Sequence, residues 1–154
     1  MYPLQHLKFG AIFSLLILFL FPQIGLTGFL IIFLSSVLID VDHYLYYVYK
    51  KKDLSLKNAY KWCIKKRKKF LSLPRKQRNK FYTGFYFLHG IEILIVLFFL
   101  AFLSDYFLFV FIGVLFHLFL DFIDQIVHKN RIDKLSLIYD FFKFKKLKCI
   151  ENGQ

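Results

Sequence analysis

Hydrophobic positions in this chain come in long blocks rather than in alternation. Residues 9 to 21 are almost wholly apolar, the stretch Pro22-Gln23-Ile24-Gly25-Leu26-Thr27-Gly28 breaks the run with turn residues, and the run then resumes to Leu38. That pattern predicts two antiparallel spans, about 5–21 and 27–48. A third apolar block predicts a helix over 81–103, and Ser104-Asp105 reads as a tight turn and helix N-cap opening a fourth over 105–128. Blocks of this length suit a hydrocarbon core about 30 Å thick. The first could be a signal peptide, but its charged start is only Lys8 and no small-residue cleavage site follows, so an uncleaved span is expected.

Between the second and third spans the periodicity changes. Over about 54–72, Leu56, Ala59, Tyr60, Cys63, Ile64, Phe70 and Leu71 recur at helical spacing while Lys57, Lys61, Lys65, Lys68 and Lys69 take other faces. With Trp62 near the boundary, this predicts a basic amphipathic helix lying on a membrane surface. The basic, aromatic tail, 130–154, spaces Ile132, Leu135, Ile138 and Phe142 roughly one turn apart, which predicts a second interfacial helix. The expected fold is all-α: one membrane domain of 154 residues, a four-helix bundle with a basic interfacial helix between spans two and three.

Composition agrees with lipid as the solvent. Apolar residues make up 58% of the chain and aromatics 21%, against about 45–50% apolar in soluble domains. The net charge of +12 lies outside the apolar blocks: of 22 Lys and Arg, 14 fall between Lys50 and Lys80 and seven after His128. Neither short turn carries any, so the positive-inside rule puts both termini and the central segment in the cytoplasm, with the cell's inner membrane as the expected location. Anionic membrane lipids are the partner this implies, and no nucleic acid is expected. Cys63 and Cys149 match no zinc or redox spacing.

The candidate chemistry lies inside the blocks. Measured from each outer turn at about 1.5 Å per residue, His6, Asp40, His43, His89, Glu92, His117 and Asp121 all fall about 18 to 24 Å in, a single polar layer in the cytoplasmic half of the core. Asp40 and His43 are three apart, His89 and Glu92 three apart, and His117 and Asp121 four apart, so on continuous helices each pair shares a face. Asp42, two residues from Asp40, points elsewhere unless the helix ends there. Bare carboxylates in lipid cost about 2.5 to 3.5 kcal/mol each, so Asp40, Asp42, Glu92 and Asp121 together cost about 10 kcal/mol. Between Lys8 and Lys50, and between Lys80 and Lys129, the spans hold no Lys or Arg to pair them. A divalent cation offsets that cost and also uses neutral imidazoles; structural zinc sites supply about 10 to 16 kcal/mol. Asp105, Asp124 and His128 read instead as interfacial groups reaching for water.

An early His6, Asp40-Val41-Asp42-His43 ending the second span, His89-Gly90-Ile91-Glu92 opening the third and His117-Leu118-Phe119-Leu120-Asp121 in the fourth resemble the membrane-bound metal-dependent hydrolases. That family is thought to be related to zinc-dependent phospholipase C and nuclease P1. The resemblance implies that His6, Asp40, Asp42, His43, His89, Glu92, His117 and Asp121 are ligands or catalytic groups, and that zinc is the ion. It implies metal-assisted hydrolysis of a lipid phosphoester, with Glu92 or Asp121 moving the proton. Two alternatives stay open: a divalent-cation transporter, disfavoured because no internal repeat or helix break is expected beside the cluster, and an inactive structural protein. A haem protein would not need four nearby carboxylates.

Overall fold

The computed structural model describes residues 3–129, 132–133 and 135–150. The parts of the predicted basic tail at 130, 131, 134 and 151–154 lie outside the described residues. The chain is mostly helical, with two compact units: Met1–Asp40 with Ile91–Asp124, and Val41–Gly90 with Gln125–Gln154.

Unit 1 contains helices α1 (Pro3–Leu20), α2 (Gly25–Leu38), α6 (Ile91–Leu100) and α7 (Asp105–Asp124). A 3-10 turn, Pro22–Ile24, joins α1 to α2, with Gly25 taking the positive φ the reversal requires. Ser104 caps α7 as predicted, its Oγ accepting from Tyr106 N–H at 3.3 Å. The unit is turned inside out relative to a water-soluble protein: Ile12, Phe19, Leu26 and Phe119 are exposed, whereas His6, Ser14, Ser36, His117 and Asp121 are buried. Helices whose outer surface is apolar gain nothing from burying more of it in lipid, so they associate through close packing of small residues. A Cβ on Gly113 of α7 would meet Ser35 Oγ and lie 2.5 Å from the Ile32 carbonyl oxygen of α2. The α1–α2 contact is as close, Gly10 lying against Ser36 Oγ. The serine hydroxyls at these contacts bond back into their own helix, Ser36 to the Phe33 carbonyl and Ser35 to the Ile31 carbonyl, both at 2.7 Å, so neither is a bare polar group.

Unit 2 contains α3 (Val41–Lys51), α4 (Leu56–Ser72), α5 (Arg75–Arg78) and α8 (Leu137–Lys145), a π turn at Gln125–Lys129, and two short parallel strands, β1 (Phe81–Tyr82) and β2 (Lys148–Cys149). Lys52, in the left-handed region, closes α3 by donating its N–H to the Val48 carbonyl at 2.9 Å. Asp53 then organises the start of α4: it accepts from Tyr47 Oη, from Ser55 N–H at 2.9 Å and from Asn58 Nδ2 at 2.9 Å, while Ser55 Oγ caps Asn58 N–H. These bonds, the one from Tyr47 foremost, hold the Asp53 carboxyl below the usual carboxylate range. Arg78 donates to the Leu71 and Leu73 carbonyls at the end of α4 and to the His128 carbonyl of the π turn.

Three segments are long and apolar enough to cross a membrane: Pro3–Leu20, Pro22–Lys51 and Asp105–Lys129. The predicted span over 81–103 differs. Only Ile91–Leu100 is apolar helix, about 15 Å long and half the depth of a bilayer core. Phe81 and Tyr82 are instead paired with Lys148 and Cys149, Gly84 has φ 156°, and 83–90 is irregular. The span over 27–48 is likewise two helices, with a turn at Ile39–Asp40. Helix α4 starts two residues later than predicted and its stripe is different. Ala59 and Phe70 are buried but Leu56 and Tyr60 are exposed, and Lys66 is buried with its Nζ 3.7 Å from the centre of the Trp62 ring and 4.8 Å from that of Tyr46. Aromatic faces make a buried ammonium tolerable there.

Candidate metal centre

Three elements of unit 1 deliver His6, Asp40 and His117 to one place: the first turns of α1, the turn after α2, and the middle of α7. One ligand atom from each lies within 4.8 Å of the other two. His117 Nε2 is 3.7 Å from Asp40 Oδ1, the His6 and His117 rings stack with centroids 4.0 Å apart, and His6 Nε2 is 3.2 Å from Asp121 Oδ1. Two ligands at zinc-like bond lengths on one tetrahedral ion sit about 3.4 Å apart, so these donors need only a small contraction.

The break at Ile39–Asp40 is part of this arrangement. In an unbroken helix the Asp40 amide would bond to the Ser36 carbonyl. Here it goes to the Val37 carbonyl at 3.3 Å, and His117 Nδ1 takes the Ser36 oxygen at 2.8 Å. A carbonyl can only accept, so the proton must be on Nδ1 and the Nε2 lone pair faces Asp40. A histidine with one ring nitrogen fixed in this way is a pre-oriented metal ligand. His6 carries the opposite signal. Its ring is 1% exposed, yet neither nitrogen makes a hydrogen bond among the described residues, although Nε2 lies within ion-pair distance of Asp121. Buried polar atoms without hydrogen bonds are costly, and a cation would take the lone pair of one of the two nitrogens.

Unit 2 builds a second grouping. Asp42, 1% exposed in the first turn of α3, accepts Leu88 N–H at 3.0 Å on Oδ2 and bonds His89 Nδ1 at 2.9 Å on the same oxygen. Its Oδ1 makes no hydrogen bond among the described residues and lies 4.0 Å from His43 Nε2. The His43 ring is stacked on Tyr86 at 3.7 Å between centroids and meets His89 edge-on at 5.0 Å. The irregular segment before α6 can be accommodated because a side chain takes its Leu88 amide; backbone without such a partner is not tolerated in lipid.

Several expectations change as a result. Asp42 is not turned away: the helix does end beside it, and it is more buried than Asp40, whose side chain is 22% exposed. His89 and Glu92 do not share a helix face, because α6 begins only at Ile91. Glu92 is half-buried in the first turn of α6, outside the group of His6, Asp40 and His117. Asp121 is buried beside His6. Asp124 is buried rather than reaching for water, whereas Asp105 and His128 are exposed as expected. Tyr86 went unnoticed in the sequence, since a lone aromatic in an aromatic-rich segment carries no signal of the ring it will stack on. The Ser36 carbonyl is a backbone group and left no trace there either.

Fold and site together define a helical protein with three segments able to span a membrane and buried His/Asp clusters that could hold a metal ion. Comparison with protein-family models, curated proteins and solved structures finds no match.

Proposed function

We propose that the chain is an integral membrane four-helix protein, both termini cytoplasmic, in which His6, Asp40 and His117 hold a divalent cation, zinc foremost, for hydrolysis of a phosphoester at the cytoplasmic headgroup layer. The observation that carries this reading is the pairing of a pre-oriented His117 with a buried His6 whose nitrogens make no hydrogen bond among the described residues, both beside Asp40. A bound cation would supply Lewis-acid activation of water and of a phosphoryl oxygen. The protein's own part is clearer. The Ser36 carbonyl keeps the His117 lone pair directed at the site, and Asp121, 3.2 Å from His6, is placed to accept a proton. Glu92 is the other carboxylate of unit 1 suited to that task. In unit 2, Asp42 orients His89, and Tyr86 holds the His43 ring. Helix α4, dense in lysine, is the surface that gathers anionic lipid. Reconstituted protein should release a headgroup or phosphate from phospholipid in a divalent-dependent reaction lost in Asp40→Asn and His117→Ala. A wild-type protein that binds metal but leaves every phospholipid class intact would remove the enzyme reading.

The helix break at Ile39–Asp40 supports a second reading. Transporters use interrupted helices at their ion sites, and the break beside Asp40 is a feature the sequence did not predict. Divalent-cation uptake into proteoliposomes, abolished by the same substitutions, would select transport.

A further inference from the structure

Helix α8 presents an apolar stripe on its outer side. Leu135, just ahead of the helix, is 52% exposed, Ile138 66% and Phe142 60%, and the exposed Lys145 and Lys146 continue the stripe at the helix end. The opposite side faces unit 2: Asp140 is buried, and Phe144 stacks on Tyr82 with centroids 4.9 Å apart. The stripe is held rigidly. Ser136 Oγ caps Tyr139 N–H at 3.3 Å, Lys143 Nζ is bound to Asp133 Oδ1 at 2.7 Å, and β2 pairs with β1 directly after the helix.

We infer that this stripe is an interfacial anchor whose partner is the headgroup layer of an anionic bilayer. Nine residues rise only about 14 Å, so α8 cannot cross a core about 30 Å thick and can enter lipid only by lying in its plane. Its composition fits that position: aromatic and aliphatic residues on the stripe, with lysines at its edge whose stems lie along the rings, Lys145 Nζ being 4.3 Å from the Phe141 ring centre. The lysines give the surface the charge complementary to anionic lipid. A bilayer is within reach, because the same chain carries segments long and apolar enough to span one.

Trp62 is the only tryptophan, so Trp62→Phe with Phe142→Trp leaves a single reporter on the stripe. The full chain, one copy per lipid nanodisc, is compared in discs containing phosphatidylcholine brominated either near the headgroup or near the chain end. The expected result is strong quenching by the shallow bromines and weaker quenching by the deep ones. Across nanodiscs of increasing anionic-lipid content, each of Lys145→Glu and Lys146→Glu should weaken the anionic-lipid preference of the reporter's quenching by roughly five-fold or more. Absence of quenching at either depth overturns the proposal. So does a blue-shifted, unquenched reporter that appears only with two copies per disc, which would make the stripe a contact between chains. Ile138→Trp in the Trp62→Phe background repeats the measurement should the substitution at Phe142 disturb folding.

Discussion

His117 in unit 1 and His89 in unit 2 are both fully buried histidines held through Nδ1, but by different partners. His117 gives its proton to the Ser36 carbonyl, a neutral acceptor freed by a helix break, whereas His89 is bonded to the Asp42 carboxylate. In unit 2 the negative charge is therefore already engaged by a histidine and by Leu88 N–H. In unit 1 the orienting group is uncharged, and the Asp40 and Asp121 carboxyls lie beside two imidazoles. On the proposed reading unit 1 holds the cation, and the Asp42–His89 pair orients.

The comparison fails most completely if the α2–α7 contact is forced apart. Gly113→Leu drives a side chain into the Ile32 carbonyl and Ser35, overpacking that costs about 1–3 kcal/mol or more. The expected outcome is a melting temperature in detergent lowered by several degrees, with metal binding lost alongside it; an unchanged melt would show that the helices need not touch there. Asp42→Asn sharpens the comparison. Its amide can donate to His89 Nδ1, so the ring proton moves to Nε2 and the hydrogen bond reverses direction. Nitrogen-15 NMR should show the tautomer change at His89 with His117 unaffected; a His89 that keeps its proton on Nδ1 contradicts the orienting role. The smallest effect belongs to Asp53. Its carboxyl is depressed in the folded protein, so its stabilisation is present above about pH 4 and is lost as pH falls through the folded value. Asp53→Asn should lower the melting temperature slightly at neutral pH and not at all in strong acid, which flattens the acid limb; the effect is small because the group is at the surface.

The helical class, three of the long apolar segments, the Ser104 cap and the candidate residues His6, Asp40 and His117 were legible in the sequence. Block hydrophobicity and the cost of charge in lipid are strong signals there. The third span was not legible, because apolarity over 81–103 says nothing about the pairing of Phe81 and Tyr82 with residues far along the chain. The direction of Asp42 was left conditional on the helix ending beside it, and the break that decides it leaves the Ser36 carbonyl to His117, 81 residues away. Lys66 defeated the binary pattern because the aromatic rings that make its burial tolerable belong to three segments, represented by Trp62, Tyr46 and Tyr86.

The most direct test is the metal content of protein purified from membranes without chelator, measured by mass spectrometry for the wild type, His117→Ala and Asp42→Asn. The account predicts a stoichiometric divalent metal in the wild type, its loss in His117→Ala, and its retention in Asp42→Asn. A wild type without divalent metal that also fails to bind zinc on titration, or a His117→Ala protein that keeps its full complement, would contradict it.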